Sequence, residues 1–249
     1  MQCEKLFSTR AKALKSSVIR EILKVTANPQ VISFAGGLPA PESFPVAQMK
    51  AAFDHVLNND PQSALQYSTT DGYAPLREWV ANRMSTNGAT ITPDQVIIVS
   101  GSQQALDLIA KVFIDPNDKV LVETPTYLGA LQAFSMFDPT YVSVDSDENG
   151  LIPEALTADV AKDAKFLYAL PNFQNPTGRM MSEERRQTLV ARAREHDLLV
   201  VEDDPYGALW YEAAPPASLL SRMPERVIHM GSFSKVLAPG LRLGYLIAP

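Results

Sequence analysis

The chain has 249 residues, 46% of them hydrophobic, and a formal net charge of −6 at pH 7. That is enough apolar material for one large domain or two small ones, and the acidic balance argues against a general affinity for nucleic acid. The one cysteine, Cys3, cannot close an internal disulfide, which points to a reducing, cytoplasmic compartment, and no apolar run approaches the roughly 20 residues of a membrane span.

Near the start, Arg10, Lys12, Lys15 and Arg20 are interrupted by Glu21 and preceded by Glu4. The pattern reads as the solvated face of a helix from about Lys12 to Lys24 rather than as a transit peptide. A Gly/Pro-rich loop follows, Gly36-Gly37-Leu38-Pro39-Ala40-Pro41. Residues 1–44 therefore read as a segment of their own, and a second unit runs from about Pro45 to the end, residues 45–249.

In that unit the apolar runs are short and rich in β-branched residues: Val96–Val99, Val120–Val122, Tyr141–Val144, Phe166–Ala169, Leu198–Val201 and Val227–Met230. Near-continuous runs of this length suit strands buried on both faces. Between some of them lie helical patterns. One covers Gln103 to Phe113 and stops before Asp115-Pro116. Another is capped by Ser182, with Glu183 and Glu184 in its first turn and Arg192 and Arg194 near its end. The alternation predicts an α/β domain with a mostly parallel sheet. Leu243 to Ala248 reads as a last strand with nothing after it to cover it, so the sequence reads as a piece of a longer protein.

In open α/β sheets, ligands bind beyond the carboxyl ends of the strands. Polar segments follow five of the runs. Ser100-Gly101-Ser102-Gln103-Gln104 opens a helix whose free amides attract phosphate. Tyr127, in Glu123-Thr124-Pro125-Thr126-Tyr127, can stack on a planar ring. Asn175 stands in Asn175-Pro176-Thr177-Gly178, and Asp203 and Tyr206 in Glu202-Asp203-Asp204-Pro205-Tyr206. Last comes Ser232-Phe233-Ser234-Lys235, with Arg242 seven residues on. A lysine amine can bond to a carbonyl cofactor, while nearby hydroxyls and a planar guanidinium take phosphate oxygens. A carboxylate such as Asp203 keeps a pyridine nitrogen protonated. Lys235 would then anchor pyridoxal 5′-phosphate and later act as general base.

The series resembles the large domain of the fold-type I, class I/II aminotransferases, and within them the branch that holds 2-aminoadipate and kynurenine aminotransferases. The resemblance implies a three-layer α/β fold around a mostly parallel, seven-stranded sheet, with an N-terminal arm. It implies phosphate contacts from Ser102, Gln103, Ser232 and Arg242, ring stacking by Tyr127, contacts to the ring hydroxyl from Asn175 and Tyr206, a contact to the ring nitrogen from Asp203, and a covalent link at Lys235. It also implies a homodimer in which Tyr67 reaches the neighbour's phosphate. Gly37 would lie in a loop over the substrate, Asn175 would reach it too, and Arg20 would read a distal carboxylate. The family continues beyond the lysine segment into a small domain that supplies an arginine for the substrate α-carboxylate; that part is absent from these 249 residues.

The expected activity is transamination between an amino acid (2-aminoadipate, glutamate, aromatic or branched-chain) and a 2-oxo acid. The alternatives are a lyase on the same scaffold, a sensor domain of a transcription regulator, and an inert truncated product. A metal at Asp203-Asp204 lacks a cluster of His or Cys partners, since His55, His196 and His229 are scattered. His229, inside an apolar run, reads as a core residue. No GxGxxG or P-loop spacing is present.

Overall fold

Successive residues of an extended chain point to opposite faces, and the apolar runs use both. Val120 and Val122 join one buried cluster while Leu121 between them joins another. The computed structural model describes residues 3–13, 28, 30–32, 37–86 and 88–249. Its strands are β1 (Val96–Val99), β2 (Lys119–Glu123), β3 (Thr140–Val144), β4 (Ser146–Asp147), β5 (Gly150–Leu151), β6 (Ala164–Ala169), β7 (Val200–Asp204), β8 (Val227–Ser232) and β9 (Gly244–Ile247). Among the described residues, seven of them form one sheet in the order β1-β9-β8-β7-β6-β2-β3, and β4 and β5 make a separate hairpin. β8, β7, β6, β2 and β3 run parallel. β9 lies antiparallel between β1 and β8.

Helices cover both faces. The longer ones are α1 (Val46–Asn59), α2 (Ala74–Met84), α3 (Ser102–Phe113), α4 (Leu128–Phe134) and α5 (Glu183–Glu195). α2 and α5 contribute Val80, Ala81, Leu189 and Ala193 to one cluster. α3 and α4 contribute Leu106, Ile109, Ala130 and Phe134 to the other. The result is the expected three-layer α/β architecture. Ser182 caps α5 by accepting from the Arg185 amide, and Glu183 and Glu184 fill its first turn, so the sequence signal and the cap coincide.

Several strand bounds differ from expectation. β7 begins two residues later than the run Leu198–Val201 suggests and continues through Asp204. The reason is local: Asp197 takes a left-handed φ of 53°, and the Leu198 amide bonds back to Ala193 at the end of α5. Leu198 thus closes the helix before the strand starts. Of the expected helix from Lys12 to Lys24, Lys12 and Ala13 end the short helix Thr9–Ala13, and residues 14–24 lie outside the described ones. Pro45 stands at the start of α1.

Candidate functional site

The carboxyl ends of the parallel strands open onto a cavity of about 340 Å³. The turn from β1 into α3 brings Ser102 and Gln103 to its wall. Tyr127, at the N-terminus of α4, and Asn175, in the loop after β6, form other parts of the lining. β7 and the turn after it supply Asp203 and Tyr206; the end of β8 and the connection to β9 supply Ser232, Lys235 and Arg242. Gly37 lines it as well, its carbonyl accepting from Lys235 Nζ at 3.2 Å. A wider groove of about 700 Å³ lies alongside, sharing Ser232 and Pro205 with the cavity but not the lysine.

One expected residue is elsewhere. Tyr67 does not line the cavity and is 98% exposed. Arg20 lies outside the described residues. Two others sit within strands rather than just past their ends: Asp203 belongs to β7 and Ser232 is the last residue of β8.

The charges in the cavity are set by burial and partners. Asp203 is 2% exposed, and burial pushes its carboxyl up to about 6, against the hydrogen bond that Tyr168 Oη donates to Oδ2 at 2.6 Å. Burial and the charge of Asp203 raise Tyr168 in turn, so its phenol stays an O–H donor at neutral pH. Tyr127 is raised by burial, then by Asp203 and Tyr206, while Arg242 opposes the shift. Lys235 Nζ stands 5.9 Å from the centre of the Tyr206 ring. Beneath the floor, Glu123 accepts from the Leu170 amide at 3.0 Å, and burial lifts its carboxyl to about 7.

The start of α3 is shaped for close approach. Gly101 has a φ of 80°, and a Cβ there would stand 2.8 Å from Arg242 Nη2. Only glycine adopts this geometry without strain. Arg242 itself holds a left-handed φ of 51°, a costly conformation for a side-chain-bearing residue and one that clusters at ligand sites.

Three features escape a reading of the sequence. Tyr168 reads there only as a strand residue, although its hydroxyl anchors Asp203. Glu202 and His229 stand opposite each other on β7 and β8, and His229 Nδ1 meets Glu202 Oε2 at 2.9 Å. Glu202 also accepts the amides of Leu219 and Leu220 at 2.8 and 3.0 Å. His229 is thus buried, as expected, but ion-paired rather than simply packed. A signal exists: a carboxylate inside a buried strand needs a partner, and His229 is the titratable residue of the next run.

Chemically, the cavity offers an amine, a buried carboxyl, a planar cation beside free helix amides, and two phenols. This is a site for an anionic, planar ligand that can bond to an amine. The model of the family "Aminotransferase class I and II" matches residues 30–249, and the chain belongs to that family. It is 44% identical to the aromatic-amino-acid aminotransferase 1 of Thermococcus litoralis over 256 residues, covering 98% of this chain and 61% of that protein. It is 44% identical to the 2-aminoadipate transaminase of Thermus thermophilus, covering 97% of this chain and 61% of that protein. The solved α-aminoadipate aminotransferase of Thermus thermophilus, complexed with N-(5′-phosphopyridoxyl)-L-leucine, is 42% identical with a TM-score of 0.89, covering 100% of this chain and 63% of that one. The chain thus spans about three-fifths of the length of these relatives. Among the described residues, no helix is long and apolar enough to cross a membrane, and no group of three or more His, Cys, Asp or Glu is placed to hold a metal ion.

Proposed function

We propose that this chain is the cofactor-binding part of a pyridoxal 5′-phosphate-dependent aminotransferase that exchanges an amino group between an amino acid and a 2-oxo acid. The observation that carries the reading is the convergence of Lys235, Asp203 and Arg242 on one cavity. The residues fit the cofactor on two further counts. Asp203 is held near 6 by burial, which is the state of a carboxyl short of a cation, and a protonated ring nitrogen is such a cation. Gly101 leaves the amides of α3 open beside Arg242, a combination suited to a phosphate.

When bound, pyridoxal phosphate would supply a carbonyl carbon and an electron-withdrawing ring. Lys235 would hold it covalently and, once displaced, move the proton at the substrate Cα. Asp203 would keep the ring nitrogen protonated, with Tyr168 fixing the carboxyl. Asn175 and Tyr206 would hold the ring hydroxyl, and Tyr127 the ring face. Ser102, Gln103, Ser232 and Arg242 would hold the phosphate.

Tyr67, exposed on its own protomer, would serve the neighbouring site of a homodimer. Residues 1–44 would form the substrate-loop segment, carrying Gly37 and Arg20, and residues 45–249 the cofactor domain, in a cytoplasmic enzyme. The names of the relatives support aromatic amino acids or 2-aminoadipate as donors, and Arg20 favours the acidic one.

The test is chemical. The full-length protein, loaded with pyridoxal phosphate, is reduced with borohydride and digested, and the adduct is located by mass spectrometry. A phosphopyridoxyl group on Lys235 is expected. Its absence, or its presence on another lysine, overturns the reading. A panel of amino donors then ranks acidic against aromatic substrates.

A further inference from the structure

Arg186 lies on α5 and is fully buried. Its acceptors are four carbonyls and one amide oxygen. Nε donates to Met181 O at 3.0 Å, and Nη1 to Pro216 O at 3.2 Å and Ala217 O at 3.4 Å. Nη2 donates to Pro171 O at 3.0 Å and to Asn172 Oδ1 at 2.6 Å. Burial pulls the guanidinium below its ordinary range, although Glu202 and Asp204 act in the other direction. An apolar side chain would fill this helix position at far lower cost. The reason for a cation here lies in what its hydrogen bonds join.

They join the two loops that bring Asn175 and Tyr206 to the cavity. Pro171 and Asn172 begin the loop that carries Asn175. The Asn172 amide then abuts the turn that carries Tyr206: a Cβ on Gly207 would stand 2.8 Å from Asn172 Nδ2 and 2.3 Å from Asp204 Oδ2. The Gly207 amide closes that turn onto Asp204 Oδ1 at 2.8 Å. Pro216 and Ala217, held by Nη1, end the excursion that begins at this turn. Asn175 and Tyr206 line the same cavity: burial raises the Tyr206 phenol, and the neighbouring Asn175 side chain opposes it. Arg186 does not line the cavity.

We infer that Arg186 is a positioning residue, which sets the Asn175–Tyr206 pair by tying both of its loops to α5 through Pro171, Asn172, Pro216 and Ala217. The inference rests on the proposed reading of Asn175 and Tyr206 as cofactor contacts.

The test is a double-mutant cycle on cofactor affinity. The full-length protein is titrated with pyridoxal phosphate, following absorbance and tryptophan fluorescence. Compared are the unaltered protein, Arg186→Lys, Asn172→Ala, Asn175→Ala, and Asn175→Ala combined with each of the first two. Arg186→Lys and Asn172→Ala should each weaken binding about tenfold alone and less than about twofold when Asn175→Ala is already present, since coupled residues do not act additively. Full multiplication of the losses overturns the inference. So does an Arg186→Lys protein whose melting temperature falls while its affinity is unchanged. Should Arg186→Lys fail to fold, the Asn172→Ala cycle decides, because it leaves the guanidinium its four carbonyls. An unaltered protein that does not bind pyridoxal phosphate sinks the cofactor reading and this inference together; binding with independent losses sinks this inference alone.

Discussion

Glu202 and Asp203 are neighbours on β7, are equally deep in the protein, and are driven in opposite directions by the two faces of the sheet. On the face toward α3 and α4, Asp203 is pushed up to about 6 by burial, and the Tyr168 hydroxyl only partly offsets it. On the face toward α2 and α5, burial also raises Glu202, but the hydrogen bond and charge of His229 and the amides of Leu219 and Leu220 bring it below the ordinary carboxylate range. His229 shows the complementary result: burial lowers it, and Glu202 more than restores it, so it is raised. Depth alone does not set the charge of a buried carboxyl; the number of donors facing it does. The saturated carboxylate belongs to the architecture. On the proposed reading, the under-supplied one meets the cationic nitrogen of the cofactor ring.

The largest expected effect is on the under-supplied side. Asp203→Asn should lower turnover on the order of 10²–10⁴-fold without lowering the melting temperature of the cofactor-free protein at pH 8. Parallel losses of activity and stability would erase the distinction between the two faces. On the other side, His229→Leu leaves Glu202 charged, buried and unpaired, and should cost about 3–5 kcal/mol in urea unfolding. A cost near zero would mean that the amides of Leu219 and Leu220 suffice.

The signs of the pH dependence also separate the two carboxyls. The stabilising share of Glu202 is present above its ordinary value of 4.5 and is lost as pH falls through its lower folded value. That of His229 is complete below 6.5 and is lost as pH rises through its raised folded value. The gap between the parent protein and His229→Leu should therefore be widest between pH 4.5 and 6.5. Asp203 acts in the sense opposite to Glu202. Between 3.8 and about 6 the folded protein binds the extra proton, so stability from this group falls as pH rises, and Asp203→Asn should flatten that limb in denaturant titrations at stepped pH. The smallest effect is that of Tyr168→Phe. It removes one hydrogen bond, about 1 kcal/mol, and should move the Asp203 titration above about 6 in carboxyl NMR. An unmoved titration would mean that burial alone controls this carboxyl.

Much of this was legible in the chain itself. The strands whose carboxyl ends meet the cavity were visible as β-branched runs, and Ser182 announced α5. The cavity residues could be read because each follows or ends such a run: Asn175 after β6, Ser232 at the end of β8. What a linear pattern cannot carry is register. That Glu202 faces His229 depends on the alignment of β7 with β8, and a one-residue slip would turn Glu202 to the opposite face. Nor does charge reveal Arg186, which sits beside the partly exposed Arg185 in an ordinary charged helix pattern; only the packing of two loops on α5 distinguishes the two arginines. The place of β9 was equally hidden, since nothing in an apolar run says that it will insert between strands.

That insertion bears on how the protein is born. Gln95 and Ala248, which bond to each other across the β1–β9 seam, are separated by 153 positions. At a synthesis rate of about 5–20 residues per second, the first strand waits on the order of 10–30 s for its partner. Throughout that interval the strand lacks the backbone partner that β9 supplies, and an unpaired strand edge is a template for pairing with other chains.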